Sequence, residues 1–225
     1  MERIINIKPL FSDCVVTECC RVEEKDYELY PEERVSIQNA VAKRQQEFGA
    51  GRLCARKAMA RLGIKDYPLR KGTDGSPVWP AGTVGAISHS TTWCGVAVAR
   101  QEDIHGIGLD IETIDRVNMN IAKKVLTPVE MEWVNARDEE AQKRLALLFS
   151  AKETIFKCVA PVYGKRFGFF DTVITHVTEE HSFEVTLNDK ISAEIPHCST
   201  LAGRYLMHEG DVCTGMVLYQ GNEQL

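Results

Sequence analysis

"GIGLDIE", residues 106–112, alternates Ile107, Leu109 and Ile111 with Gly106, Gly108, Asp110 and Glu112. A period of two is the signature of a strand whose apolar face meets a core. The other face carries two glycines and then two carboxylates, and it raises the question of function. Facing solvent is the ordinary fate of alternate residues on an edge strand. Residues two apart on a strand stand roughly 6–7 Å apart on one face, a separation that suits two acidic ligands of one hard divalent cation. On this reading Gly106 and Gly108 clear the face for a bulky ligand.

On either side of this strand the chain alternates helical and strand-like segments. Residues 30–64 read as one or two helices, with Gly49 and Gly51 the place where a break or a loosened turn is possible. Two short apolar runs, 84–87 and 93–99, lie among turn residues and suit a β-hairpin. After the strand come a helical "TPVEMEWV", a longer helix from about Glu139 to Val159, and the short strands "FFDTVITHV", "HSFEVTL" and "CTGMVLYQ". Helix plus antiparallel strands, twice over, predicts an α+β fold of two similar lobes related by a pseudo-twofold, residues 1–109 and 110–225.

The helix "RLALLFSAKETIFKCVAP" sets Leu145, Leu148, Phe149, Ile155, Phe156 and Val159 in an apolar stripe with Lys152 in its middle and Glu153 at its edge. The plain interpretation pairs Glu153 with Lys157 at i,i+4 and lets Lys152 snorkel to water. Taken with Asp110 and Glu112, three carboxylates and two lysines at partly apolar positions would satisfy one another around a divalent cation and an anionic ligand. Lys43, Arg44, Arg52, Arg56, Lys57 and Arg61 crowd the first helical region. Such a run is usually a solvated face, but as a site it offers guanidinium forks for phosphate. Ser88 and His89, in "AISHS", add a hydroxyl and an imidazole at a strand end.

Bulk properties narrow the choice less. The 225 residues are 44% hydrophobic and 26% charged, enough for a substantial core. The net charge of −5, 32 acids against 27 bases, argues against nucleic-acid binding driven by bulk charge. No stretch approaches the roughly 20 apolar residues of a membrane span, and the N-terminus lacks the apolar core of a signal peptide, so a cytoplasmic protein is expected. The eight cysteines lack CxxC or Cys/His metal spacing and read as small buried hydrophobes kept reduced.

In order and spacing, "GRLCARKAM", "KGTDGSPVWP", "AISHS", "GIGLDIE" and "FSAKETIFK" resemble the motif series of the 4′-phosphopantetheinyl transferases of the surfactin and enterobactin type, over residues 43–168. The resemblance implies transfer of the phosphopantetheine arm of coenzyme A to a serine of an acyl or peptidyl carrier protein, with release of adenosine 3′,5′-bisphosphate. It also implies a two-lobed monomer with coenzyme A in the cleft between the lobes. It gives Asp110, Glu112 and Glu153 as Mg²⁺ ligands, with Glu153 also the general base. Lys152 and Lys157 become the lysines that hold the pyrophosphate and stabilise its transition state, which would turn Lys152 toward the cleft. Arg44 and Arg52 fall where coenzyme A phosphate binds, Lys71 at the adenosine end, and Ser88 and His89 near the 3′-phosphate and pyrophosphate. Thr154 stands where Ala or Ser is common, and Glu130 is left outside the metal set. A coenzyme A-binding module without catalysis, or a Mg²⁺-dependent phosphohydrolase, is the rival reading of the same residues. The segment "APVYGKRFGFF", 160–170, with Tyr163, Phe167, Phe169, Phe170, Lys165 and Arg166, is the candidate carrier-docking surface.

Overall fold

The computed structural model describes residues 4–102, 104–164, 167–194 and 200–219. The chain runs β1 (Val16–Arg21), α1 (Pro31–Arg34), α2 (Ala42–Arg61), β2 (Thr83–His89), β3 (Trp93–Arg100) and β4 (Ile104–Thr113). It continues through α3 (Ala122–Val125), α4 (Pro128–Asn135), α5 (Ala141–Tyr163), β5 (Thr172–Val177), β6 (Ser182–Leu187), α6 (Asp189–Glu194), β7 (Thr200–His208) and β8 (Asp211–Tyr219). Two antiparallel sheets result, one ordered β1-β3-β2 and the other β4-β8-β7-β6-β5.

The α+β class and the antiparallel sheets agree with the sequence reading. Each half sets a long helix across a sheet, α2 over three strands and α5 over five. The expected boundary at 109/110 falls inside β4, which pairs with β8 along its length.

Gly49 and Gly51 do not break α2, which runs unbroken from Ala42 to Arg61. A Cβ on Gly49 would stand 2.6 Å from the Tyr27 ring, and one on Gly51 3.2 Å from Ile87. The glycines let the helix lie close to its neighbours, and that packing offsets their lower helix propensity. The inward face of α2, through Cys54, Ala55, Ala58 and Met59, meets Val96 and Val98 of β3. Leu145, Leu148, Ile155 and Val159 of α5 share the second core with Phe183, Val185 and Val212.

Strand β4 lies where the two halves meet. Its residues Ile107, Leu109 and Ile111 enter a central core with Trp93, Ala97 and Ala99 of the first sheet and Ile5 and Ile7 of the N-terminal segment. Its other face lies under α5. A Cβ on Gly106 would come within 2.3 Å of the Cys158 carbonyl oxygen, and one on Gly108 within 2.0 Å of that of Thr154. The glycines therefore clear the face for a helix, not for a bulky ligand as the sequence suggested. Thr154 fastens this contact: its hydroxyl lies 2.6 Å from the Thr214 hydroxyl, which is 2.9 Å from that of Ser150, all fully buried.

Candidate functional site

Being at the edge of its sheet, β4 pairs on one side with β8 and would leave the backbone groups of its other side without partners. Two side chains take them up. The Ile111 amide donates to Ser88 Oγ (3.2 Å), at the end of β2, and the Leu109 carbonyl accepts from Lys157 Nζ (3.1 Å), on α5. Lys157 also donates to Ser88 Oγ (3.1 Å) and to Asp110 Oδ1 (2.7 Å), and Ser88 donates to the same Asp110 oxygen (2.9 Å). Thus one hydroxyl, one ammonium and one carboxylate from three elements close the seam between the sheets.

Asp110 is 2% exposed, and its buried Oδ2 has no hydrogen-bond partner among the described residues. A buried carboxylate oxygen left unpaired is costly. Glu112, two residues along, is half-buried; burial, then the Asp110 charge, push its carboxyl up to about 7, with Lys157 opposing. Burial also raises the Glu153 carboxyl, with Asp110 adding to the rise and Lys157 opposing it. Three carboxylates thus feel one another's charge, and one oxygen lacks a donor. This is the donor chemistry a hard divalent cation takes. Among the described residues no three Asp, Glu, His or Cys side chains already stand together as a formed metal cage. Chelation by this set would require side-chain movement by the half-buried glutamates.

Residue His89, next to Ser88 in β2, belongs to a second group. Arg44 Nη1 donates to His89 Nε2 (2.8 Å) and to Glu47 Oε2 (3.3 Å). A guanidinium can only donate, so Nε2 accepts and the imidazole is neutral. Burial depresses the His89 pKa, and the cations Arg44 and Lys157 add to the effect against Glu47. Arg44 is about half exposed at its side chain, leaving guanidinium donors for an anion.

Arg52 is not placed to receive a phosphate as simply as expected. It is 5% exposed, stacked 3.9 Å from the Phe48 ring centroid, and its Nε donates to the Leu69 carbonyl at 2.7 Å. Burial lowers its pKa to about 10, with Glu33 opposing. Arg56 is likewise paired, its Nη1 on Glu33 Oε2 at 3.1 Å. Lys71 is exposed on the loop that follows Leu69.

Lys152 departs from the expectation altogether. It is 2% exposed and points into the second lobe, where Nζ meets Glu130 Oε2 at 3.0 Å and donates to the carbonyls of Phe169 (2.7 Å) and Thr172 (2.8 Å). All three of its protons have partners in that cluster, so it neither faces the cleft nor has a donor left for pyrophosphate. Glu130 is equally committed: it accepts from the Thr127 amide, the Thr127 hydroxyl and the Ile174 amide as well. The clue in the sequence was "TPVE", a capping box with proline at the first helical position, which fixes Glu130 at the start of α4.

A groove of about 670 Å³ between residues 24–29 and the start of α2 is lined by none of the candidate site residues. Concavity alone is a weaker indicator than convergent perturbed carboxylates, so the site is assigned to the seam. Of the suggested docking segment, Lys165 and Arg166 lie outside the described residues. Tyr163, Phe167 and Phe169 are partly buried against the second core, and Phe170 is 57% exposed.

Comparisons with known proteins identify the family. The sequence model described as "4'-phosphopantetheinyl transferase N-terminal domain" matches residues 32–99, and that of the "4'-phosphopantetheinyl transferase superfamily" matches 106–209. The chain is 33% identical over 193 residues to the 4'-phosphopantetheinyl transferase PptT of Mycobacterium tuberculosis, covering 84% of this chain and 85% of that protein. It is 34% identical to the 4'-phosphopantetheinyl transferase Npt of Nocardia iowensis over 70% of this chain and 71% of that one. With enterobactin synthase component D of Escherichia coli it shares 38% identity over 54% of this chain and 57% of that protein. The chain belongs to the 4'-phosphopantetheinyl transferase family.

Proposed function

We propose that this member of the family moves the 4′-phosphopantetheine arm of coenzyme A onto a serine of an acyl or peptidyl carrier protein in a Mg²⁺-dependent reaction, and that it works as a cytoplasmic monomer. The observation that carries the reading is the seam itself. Ser88, Asp110 and Lys157 converge there beside two carboxylates of raised pKa, and Asp110 Oδ2 is buried without a donor. No helix among the described residues is long and apolar enough to cross a membrane.

In this reading Asp110, Glu112 and Glu153 hold the Mg²⁺, which when bound supplies positive charge to the pyrophosphate oxygens. Lys157 has its three protons on Ser88, Leu109 and Asp110, so its part is that of a positive charge held beside the pyrophosphate and not of a free donor, stabilising charge that develops as the bond breaks. Glu153, whose affinity for a proton is raised by burial, takes the proton of the carrier serine. The serine oxygen bonds to the phosphorus bearing pantetheine, the bond from that phosphorus to its bridging oxygen breaks, and adenosine 3′,5′-bisphosphate leaves with that oxygen. On the first lobe, Arg44, His89 and Lys71 bind the phosphates and adenosine end of coenzyme A. We place the division between the lobes just before β4, because that strand pairs into the second sheet.

Incubation with coenzyme A, Mg²⁺ and an apo carrier protein, read by intact mass, tests the proposal. A carrier mass increased by the arm is expected. Bisphosphate release without carrier labelling would instead indicate hydrolysis, and binding without either product a non-catalytic module.

A further inference from the structure

Cys20 of β1, Cys54 of α2 and Cys94 of β3 meet where the helix crosses the first sheet. Cys20 and Cys94 face each other across the β1–β3 ladder, and the Cys54 Sγ lies 2.8 Å from that of Cys20. Cys54 and Cys94 are fully buried, and Cys20 is half-buried. Cys19 turns to the other side of β1 and packs on the central core, as alternation along a strand requires. Three thiols at one spot go beyond the space-filling role expected of isolated cysteines.

Distance and hydrogen bonding both point to thiol chemistry. Sulfurs that share a zinc ion at about 2.3 Å each stand about 3.7 Å apart in tetrahedral geometry, so a 2.8 Å contact is too close for chelation. A disulfide of about 2.05 Å needs the same two atoms to approach by less than about 1 Å. Cys54 and Cys94 both hydrogen-bond to the Cys20 sulfur; these bonds lower its pKa, and Lys57 and Lys25 add to the effect against burial. The bond that lowers Cys20 raises Cys54, which keeps its proton. Thiolate character is therefore concentrated on the half-buried member, the one of the three that solvent reaches.

We propose that Cys20 and Cys54 are a reversible oxidation site for small hydroperoxides, with Cys20 the attacking thiol and Cys54 the resolving one. The Cys20 thiolate attacks one peroxide oxygen, the O–O bond breaks, and the departing oxygen takes a proton from solvent. The Cys54 sulfur then attacks the resulting sulfenic sulfur. An S–S bond forms, the S–O bond breaks, and the hydroxyl leaves as water with the Cys54 proton. Two thiols lose two electrons, and hydrogen peroxide is reduced to two waters. The bridge ties β1 to α2 across a 34-residue separation that contains α1, and so stiffens the first lobe. It involves neither the seam nor the transfer reaction.

The test treats the reduced full-length protein with a few equivalents of hydrogen peroxide in the presence of chelator. Peptide mass mapping without reductant is expected to join the Cys20 and Cys54 peptides with the loss of two hydrogens, and dithiothreitol should separate them. Closing a loop of this length should raise Tm by about 5–15 °C over the reduced protein. Cys20→Ser and Cys54→Ser should each abolish both the bridge and the shift in Tm. Cys20→Ser, at the half-buried position, covers the case in which Cys54→Ser does not fold. Absence of a bridge after peroxide, a bridge from Cys20 to Cys94 or to another cysteine in its place, or oxidation of Cys20 to the sulfinic acid alone would each overturn the proposal. So would an unchanged Tm in the bridged protein, or the same rise in Tm in peroxide-treated Cys20→Ser.

Discussion

Replacing Gly108 by alanine separates two accounts of the glycines in β4. Its Cβ would lie 2.0 Å from the Thr154 carbonyl oxygen and 2.9 Å from that residue's carbonyl carbon and Cγ2. Relief to an ordinary contact distance of 3.4 Å or more requires α5 and β4 to separate by about 1.4 Å. The helix resists, because Thr154 is tied to the Thr214 hydroxyl and carbonyl at 2.6 and 3.2 Å. Overpacking of a tight core costs about 1–3 kcal/mol, and a weakened buried hydroxyl bond adds ~1 kcal/mol. A total of about 2–4 kcal/mol, at roughly 2–4 °C per kcal/mol for a domain of this size, lowers Tm by about 4–16 °C. Circular dichroism melting of Gly108→Ala without metal or coenzyme A is the assay. Transfer should fall as well, since the 2.7 Å contact between Lys157 and Asp110 spans the same interface. An unchanged Tm with a raised KM for coenzyme A would refute the argument and restore the view that the glycines make room for ligand.

Glu130→Gln and Lys152→Met should each destabilise by about 3–5 kcal/mol, because breaking a buried pair strands its partner; urea midpoints check this, and a loss of kcat with unaltered stability would place Lys152 back at the phosphate. Asp110→Asn should weaken Mg²⁺ binding, shifting the rate-against-Mg²⁺ curve to higher concentration, and an unshifted curve would remove Asp110 from the metal set. For Glu112 the folded pKa of about 7 lies above its ordinary 4.5. In the metal-free protein the associated stability is complete below about pH 4.5 and is lost as pH rises through about 7. Glu112→Gln should therefore melt close to the parent at pH 4 and above it at pH 8 in chelator, whereas equal melting at both would mean that the carboxyl is not strained.

Much of this architecture was legible because local patterns and tertiary structure agree. The alternation in β4, the stripe on α5 and the β2–β3 hairpin each follow from a single period or turn signal. What local pattern could not supply was the identity of the neighbour on a given face. The basic run that holds Arg52 and Arg56 was open to a solvated face or a phosphate site, but their partners Leu69 and Glu33 come from elsewhere in the chain and engage both side chains. Lys152 was rightly placed on a buried face, yet its counter-charge lies on α4 instead of on a ligand. Strand β7 was missed: "TLAGRYLMH" has only a broken alternation, and Gly203 is there because the Phe183 ring packs over it, 2.2 Å from where a Cβ would stand.

The groups proposed for catalysis also close the join between the two sheets. Ser88 and Lys157 satisfy the open edge of β4, and they reach Asp110 from the first sheet and from α5 respectively. A site built this way exists only when both halves are folded and docked, so its geometry reports on the junction. Burial that secures the seam also raises Glu112 and Glu153 and leaves Asp110 Oδ2 without a donor. The protein groups of the junction alone therefore leave buried carboxylate charge that packing does not relieve. A ligand that supplies positive charge there gains from relief of this repulsion as well as from its own contacts, and it stabilises the folded state in proportion to its concentration over its Kd. On the function proposed above, the same carboxylates cost the fold stability and give a bound cation its affinity, and that exchange would account for Asp110 and Glu112 on a strand otherwise built for a core.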